Sequence, residues 1–409
     1  MSISKNIKRL KRYVAVFAAY LGLSQNILNA QATDFIRARA FEIKNLPDSA
    51  LIYYSKLLAI KESDTKILLA RGRVYFVKKD FDNAILDFKK ANQLSNDIAS
   101  FQLAQCYAVL NDLPMTIEFL KKHLSSKYKQ PQVNIRLNSA FLKFESNADW
   151  KKLWVNDWYN KSDNQVGEAR FMFNNKDWMG VINYVSGVLK ENSKRHELLY
   201  FRAKAYFAME NFTTSLNDYN SAIEVFKNNS NYYEGRAEVY RKLGKVKEAY
   251  KDYSTAINLE PDNFNYYLQR AELSLALNNI ENSKEDIDLY LSLFSSDYKA
   301  RFLAGKIAFA SGNYLTALSY YNSLINEYPQ RSTLYFERAE TFNKATMYPN
   351  ALKDYNICLN LEPSNIPALR KLGQLQYSLN NLKEACINWK KAMNAGDFES
   401  NNLYLDNCR

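Results

Sequence analysis

Two histidines, four cysteines and a set of arginine–aspartate couples are the side chains whose type and spacing could carry chemistry in this 409-residue chain. His123 and His196 stand in separate segments, so neither a histidine metal site nor a nucleophile–base unit can be assembled locally. Each reads as a helix-surface or core-edge residue. No glycine-rich phosphate loop, paired-cysteine ligand motif or nucleophile elbow occurs. Glu285, Asp286 and Asp288 cluster, but on a helix they make a solvated face plus one salt bridge. The residues therefore nominate no catalytic group, no metal ligand and no cofactor.

The arginines say more. Arg71, Arg202, Arg236, Arg270 and Arg338 are each followed, sixteen residues on, by Asp87, Asp218, Asp252, Asp286 and Asp354. Where the arginine is replaced, by Leu103, Ala304 or Leu372, the aspartate is replaced too, by Phe119, Tyr320 or Asn388. Only Arg37, facing Tyr53, breaks the rule. Two charges that come and go together predict bidentate salt bridges between paired helices. As exposed pairs they would be worth ~0–1 kcal/mol each, tuning helix packing more than holding the fold.

The elements that position these couples repeat every 34 residues. Ser215, Ala249, Ser283, Ala317, Ala351 and Ala385 form one small-residue column, with Tyr219, Tyr253, Ile287, Tyr321, Tyr355 and Trp389 four residues further on. A second small column, Ala203, Ala237, Ala271, Gly305, Ala339 and Gly373, marks an earlier helix, and Pro261, Pro329 and Pro363 close three units. Upstream the register persists at Ala50 with Tyr54, Ala84 with Phe88, Thr116 with Leu120 and Gly180 with Tyr184. About residues 131 to 160 it degrades, and Trp150, Trp154 and Trp158 suggest a helical stripe, either a docking site or, as the favoured reading, a face buried in an irregular joint.

A 34-residue period with this small-then-aromatic signature resembles the tetratricopeptide repeat family. The resemblance implies an all-α, right-handed superhelical solenoid of about eleven antiparallel helix pairs with a C-terminal capping helix. The expected divisions are 1–32 leader, 33–130 N-terminal repeats, 131–195 irregular or degenerate repeats, 196–396 regular array and 397–409 cap. Cys386 and Cys408 flank Asp397 at equal distances. If Gly396 ends one helix and Phe398 opens the next, the sulfurs come level and a disulfide of ~2–4 kcal/mol forms, the alternative being two buried thiols. Cys106 and Cys358 lie too many repeats apart to meet.

The family presents the first helix of each pair along a concave groove. Carried onto this chain, the facing columns read Tyr200, Glu234, Leu268, Phe302, Phe336, Arg370; then Lys204, Glu238, Glu272, Lys306, Glu340, Gln374; then Phe207, Arg241, Leu275, Phe309, Asn343, Tyr377. Phe302, Lys306, Phe309, Phe336, Arg370 and Tyr377 would form an aromatic groove edged with positive charge, suited to a peptide with apolar anchors and some carboxylates. The alternative is that these aromatics pack against neighbouring helices. No two adjacent repeats supply the basic clamp that grips the acidic tail of cytosolic heat-shock chaperones.

The first thirty residues resemble a secretory signal peptide: Lys5, Lys8, Arg9, Lys11 and Arg12, an apolar run from Tyr13 to Leu23, and a cut near Ala30-Gln31-Ala32. A retained anchor is the weaker reading, since a span needs ~20 apolar residues. Loss of the leader takes five positive charges from the formal +12, leaving +7, which is no footprint for nucleic acid. The Asn, Lys and Tyr richness, the cut and the ending around Cys386 and Cys408 resemble repeat proteins of Bacteroidota, implying a periplasmic or outer-membrane-associated location. The expected function is a non-catalytic exported scaffold or adaptor for proteins or peptides, without cofactor or small-molecule substrate. The alternatives are a chaperone-like holder of unfolded exported clients, or a positioning subunit of an envelope enzyme or secretion complex.

Overall fold

The computed structural model describes residues 34–408. The expected leader lies outside them. The described residues are all-helical, without a strand, and divide after Met209 into two compact units. None of their helices is long and apolar enough to cross a membrane.

The first unit contains α1 (34–43), α2 (Pro47–Ile60), α3 (Thr65–Val77), α4 (Phe81–Leu94), α5 (Ser100–Val109), α6 (Leu113–Ser125), α7 (Gln132–Arg136), a 3₁₀ turn at Leu142–Phe144, α8 (Ala148–Leu153), α9 (Lys161–Asn174), α10 (Trp178–Glu191) and α11 (His196–Ala208). The second contains α12 (Phe212–Val225), α13 (Ser230–Lys242), α14 (Val246–Leu259), α15 (Phe264–Ala276), α16 (Ile280–Leu293), α17 (Tyr298–Ala310), α18 (Tyr314–Glu327), α19 (Ser332–Lys344), α20 (Tyr348–Leu361), α21 (Ile366–Ser378), α22 (Leu382–Asn394) and α23 (Phe398–Asn407). Within the second unit each helix packs on the next.

A local backbone device sets the period. The turn inside each pair passes through a residue with positive φ, and from Lys176 this residue recurs as Glu210, Gly244, Asn278, Gly312, Thr346 and Asn380. Such a residue ends a helix and turns the chain back. The next residue often caps the second helix: Asp80, Asp112, Asp177 and Asn313 each accept a backbone N–H three residues on.

Close approach of paired helices explains the small-residue columns. A Cβ on Gly72, Gly305 or Gly373 would come within 2.6, 2.7 and 2.5 Å of Phe88, Tyr321 and Trp389, the aromatics of the facing helix. Phe88, Tyr253, Tyr321, Tyr355 and Trp389 are buried, each worth about 1.5–3 kcal/mol of apolar transfer.

The tryptophan stripe is corrected by the structure. Helix α8 stops at Leu153, with Trp154 as its C-cap and Trp158 beyond it. The Trp158 indole donates to the Leu153 carbonyl at 2.6 Å, satisfying a group that a continuing helix would have bonded. Trp150 is buried and meets Trp154 edge-on at 5.6 Å, so these rings fill the joint. After this stretch α9 packs on both α10 and α11, and its contact with α10 is sparser than that within the pairs of the second unit.

Candidate functional site

The titratable candidates are occupied structurally. His123 is buried against Phe101, its Nε2 accepts the Gln130 N–H at 3.0 Å, and burial lowers its pKa to about 4. His196 opens α11. Cys106 and Cys358 are buried thiols, pushed up by burial to about 12 and about 11. Cys386 and Cys408 are joined, with Cα atoms 5.7 Å apart, tying the end of α23 to α22. No group of three metal-ligating side chains occurs among the described residues.

Four of the arginine–aspartate couples form side-on bidentate bridges. Nε and Nη2 donate to the two carboxylate oxygens at 2.8 and 2.8 Å for Arg71–Asp87, 2.7 and 2.7 Å for both Arg236–Asp252 and Arg270–Asp286, and 2.6 and 2.8 Å for Arg338–Asp354. Arg202 belongs to the first unit and Asp218 to the second. The third nitrogen also has work: Nη1 donates to Ser55, Ser186, Asn220, Ser254 or Asn322, sixteen residues before each arginine. These aspartates are no more than 5% exposed, so the pairs are not the exposed bridges expected, and removing one partner would strand a buried charge at a cost of about 3–5 kcal/mol. Sequence reasoning also missed the substitute where Ala304 interrupts the series: buried Arg301 donates to Glu327 at 2.7 Å and to Ser323 at 2.6 Å.

In the second unit the first helices of successive pairs, α13, α15, α17 and α19, line a cleft of about 1000 Å³. Leu268, Leu275, Phe302 and Phe309 give it an apolar wall, and Arg241 and Lys306 also lie on it. Glu234, Glu238, Glu272 and Glu337 bring four carboxylates to the same surface. Arg241 is already engaged, donating to Glu272 at 2.9 Å and to Gln269 and lying 3.5 Å from Glu238. It braces α13 against α15.

The cleft differs from the basic-edged groove that the columns suggested. Arg370 is bound to Asp397 at 3.0 Å and Glu399 at 2.8 Å, holding α23 against α21. Phe336 is half-buried against Tyr355, while exposed Tyr377 lies 5.5 Å from Trp389. Tyr200, Lys204 and Phe207 belong to the first unit, where the Lys204 ammonium sits 4.3 Å from the Phe173 ring and 5.2 Å from that of Tyr200. The structure thus brings Arg241, Leu268, Leu275, Phe302, Lys306 and Phe309 to one cleft and leaves the other groove candidates elsewhere.

Glutamates in the cleft columns are held by buried tyrosines. Tyr253 donates to Glu238 and Tyr355 to Glu340, residues that stand at the same repeat positions. Of the two intervening pairs, one has Glu272 with Ile287 in place of the tyrosine, and the other has Lys306 in place of the glutamate, where the buried Tyr321 hydroxyl has no partner. Glu337, which follows Phe336 of the first column, is among the cleft residues that sequence reasoning missed. It accepts no side-chain hydrogen bond, and burial holds its carboxyl above the usual range, opposed by Lys306 and reinforced by Glu340.

Repeat-family models match three stretches: tetratricopeptide repeats at residues 65–98 and 299–331, and a TPR repeat at 237–277. A 105-residue stretch is 30% identical to heat shock protein STI1 of Saccharomyces cerevisiae, covering 25% of this chain and 17% of that protein. Among solved structures, a tetratricopeptide repeat protein of Parabacteroides merdae is 20% identical with a TM-score of 0.48, covering 60% of this chain and 97% of that one. The C-terminal part of a repeat protein of Cytophaga hutchinsonii is 16% identical with a TM-score of 0.46, covering 60% and 99%.

Proposed function

We propose, from the premise that the chain is a tetratricopeptide repeat protein, that it is a scaffold holding segments of other proteins in the cleft lined by α13, α15, α17 and α19. The observation that carries this reading is the half-buried pair Phe302 and Phe309 beside Leu268 and Leu275 in one open cleft. Aromatic and aliphatic side chains so placed give an extended segment apolar anchor points.

In this reading the protein does no chemistry on its guest. The resemblance of residues 1–32 to a signal peptide supports an exported protein, periplasmic or outer-membrane associated, joined peripherally to envelope complexes. A holder of unfolded clients and a positioning subunit of an envelope enzyme or secretion complex use the same cleft and differ in how many guests it accepts.

The test is photocrosslinking from Lys306 in intact cells, with and without the double change Phe302→Ala and Phe309→Ala. Partners captured by the parent and lost by a folded double variant support the reading. A double variant that keeps every partner removes the cleft from the function.

A further inference from the structure

The cleft's polar groups are unequal in what a guest could offer them. Lys299 and Lys306 are exposed, so their ammonium groups keep their water and gain little from an incoming anion. Glu234 accepts from the Tyr266 hydroxyl at 3.4 Å, and Glu238 and Glu272 share Arg241. Glu337 has neither hydrogen-bond donor nor ion-pair partner among the described residues, although it is half-buried on the cleft wall. Lys306 lies near enough to favour its charge, yet burial together with Glu340 outweighs that help. A carboxylate partly stripped of water and short of compensation gains most from a cation, because the desolvation cost is already spent before the guest arrives.

We propose that the cleft selects an extended protein segment in which a lysine or arginine side chain stands beside apolar ones. The cation pairs with the Glu337 carboxylate, and the apolar neighbours rest on Phe302, Phe309 and Leu268. This deepens the scaffold reading, on which it rests, and reverses the polarity that the sequence columns suggested. An acidic segment would instead bring its carboxylates to a wall already bearing Glu234, Glu238, Glu272 and Glu337. Charge complementarity of this kind sets selectivity more than total affinity.

The experiment uses the whole chain and three short end-capped, fluorescently labelled peptides of alternating leucine and phenylalanine. They are identical except for lysine, glutamine or glutamate at the intervening positions. Fluorescence polarisation at moderate salt should show the lysine peptide binding at least ~10-fold more tightly than the glutamate one. In Glu337→Gln that preference should fall to about twofold or less, with the glutamine peptide bound as before. A glutamate peptide bound as tightly as the lysine one, or a preference that survives Glu337→Gln intact, overturns the proposal. The scaffold reading is separated by Phe302→Ala with Phe309→Ala. Glutamine-peptide binding that this double change weakens, without any charge preference, sinks the cation site alone. Failure of the folded parent to bind any of the three sinks both.

Discussion

Arg338 and Asp354, sixteen residues apart on facing helices, meet through two parallel hydrogen bonds of 2.6 and 2.8 Å, while Arg338 Nη1 reaches back to Asn322 at 2.7 Å. One guanidinium therefore joins three helices, α18, α19 and α20. Arg338→Ala strands the buried Asp354 carboxylate and should cost about 3 kcal/mol in urea unfolding of the second unit. The double change Arg338→Met with Asp354→Leu should recover most of that loss, since no charge is left buried. Equal losses in the single and double variants would contradict this account.

Tyr321 and Tyr355 occupy the same position in adjacent repeats but differ in what their hydroxyls meet. Tyr355 donates to Glu340, whereas the Tyr321 hydroxyl is buried without a partner. Tyr355→Phe should destabilise by about 1 kcal/mol, and Tyr321→Phe should be neutral or stabilising by a similar amount. Thermal denaturation of the two variants, side by side, reads the opposite signs.

Thr346 turns α19 into α20 at φ 59°, a conformation in which a β-branched side chain is strained. The equivalent Gly244 and Gly312 adopt the same region without that penalty. Thr346→Gly should add about 1 kcal/mol of stability, measurable as a higher urea midpoint with an unchanged slope. A lower midpoint would show that the threonine is not strained there.

Glu337 links stability to pH. Its folded pKa is raised by burial, with Glu340 adding and Lys306 opposing, so the folded state binds this proton more tightly than the unfolded chain does. That contribution is fully present below the unfolded carboxylate value, near pH ~4, and is lost as pH rises through the folded value. Glu337→Gln should therefore match the parent at pH ~4 and become progressively more stable than it toward pH ~7. Melting curves at a series of pH values that run parallel for the two proteins would refute the assignment.

The period was legible because several columns carry it independently: small residues, aromatics and the arginine–aspartate couples. Each column reflects a contact repeated in every pair, such as Gly305 under Tyr321. The left-handed turn residue was less legible, since its backbone is fixed while its side chain points to water, and the position accepts lysine, glutamate and threonine as well as glycine. The charge of the cleft was misjudged for another reason. A column says which side chains share a face, not which already have partners, and Arg370 is claimed by Asp397 and Glu399 on a helix outside the repeat. The tryptophan stripe failed because regular spacing cannot show that a ring beyond the helix end folds back to bond its last carbonyl.

Helix α23 is held twice, by the sulfur bridge from Cys386 to Cys408 and by the grip of Arg370 on its first turn. Stacked hairpins ordinarily fray from their margins inward, because a marginal helix has only one neighbour. With a covalent clasp at one end of α23 and an ionic one at the other, peeling cannot start from either end of that helix without breaking one of them. Loosening is thereby displaced to flanks that lack such a fastening.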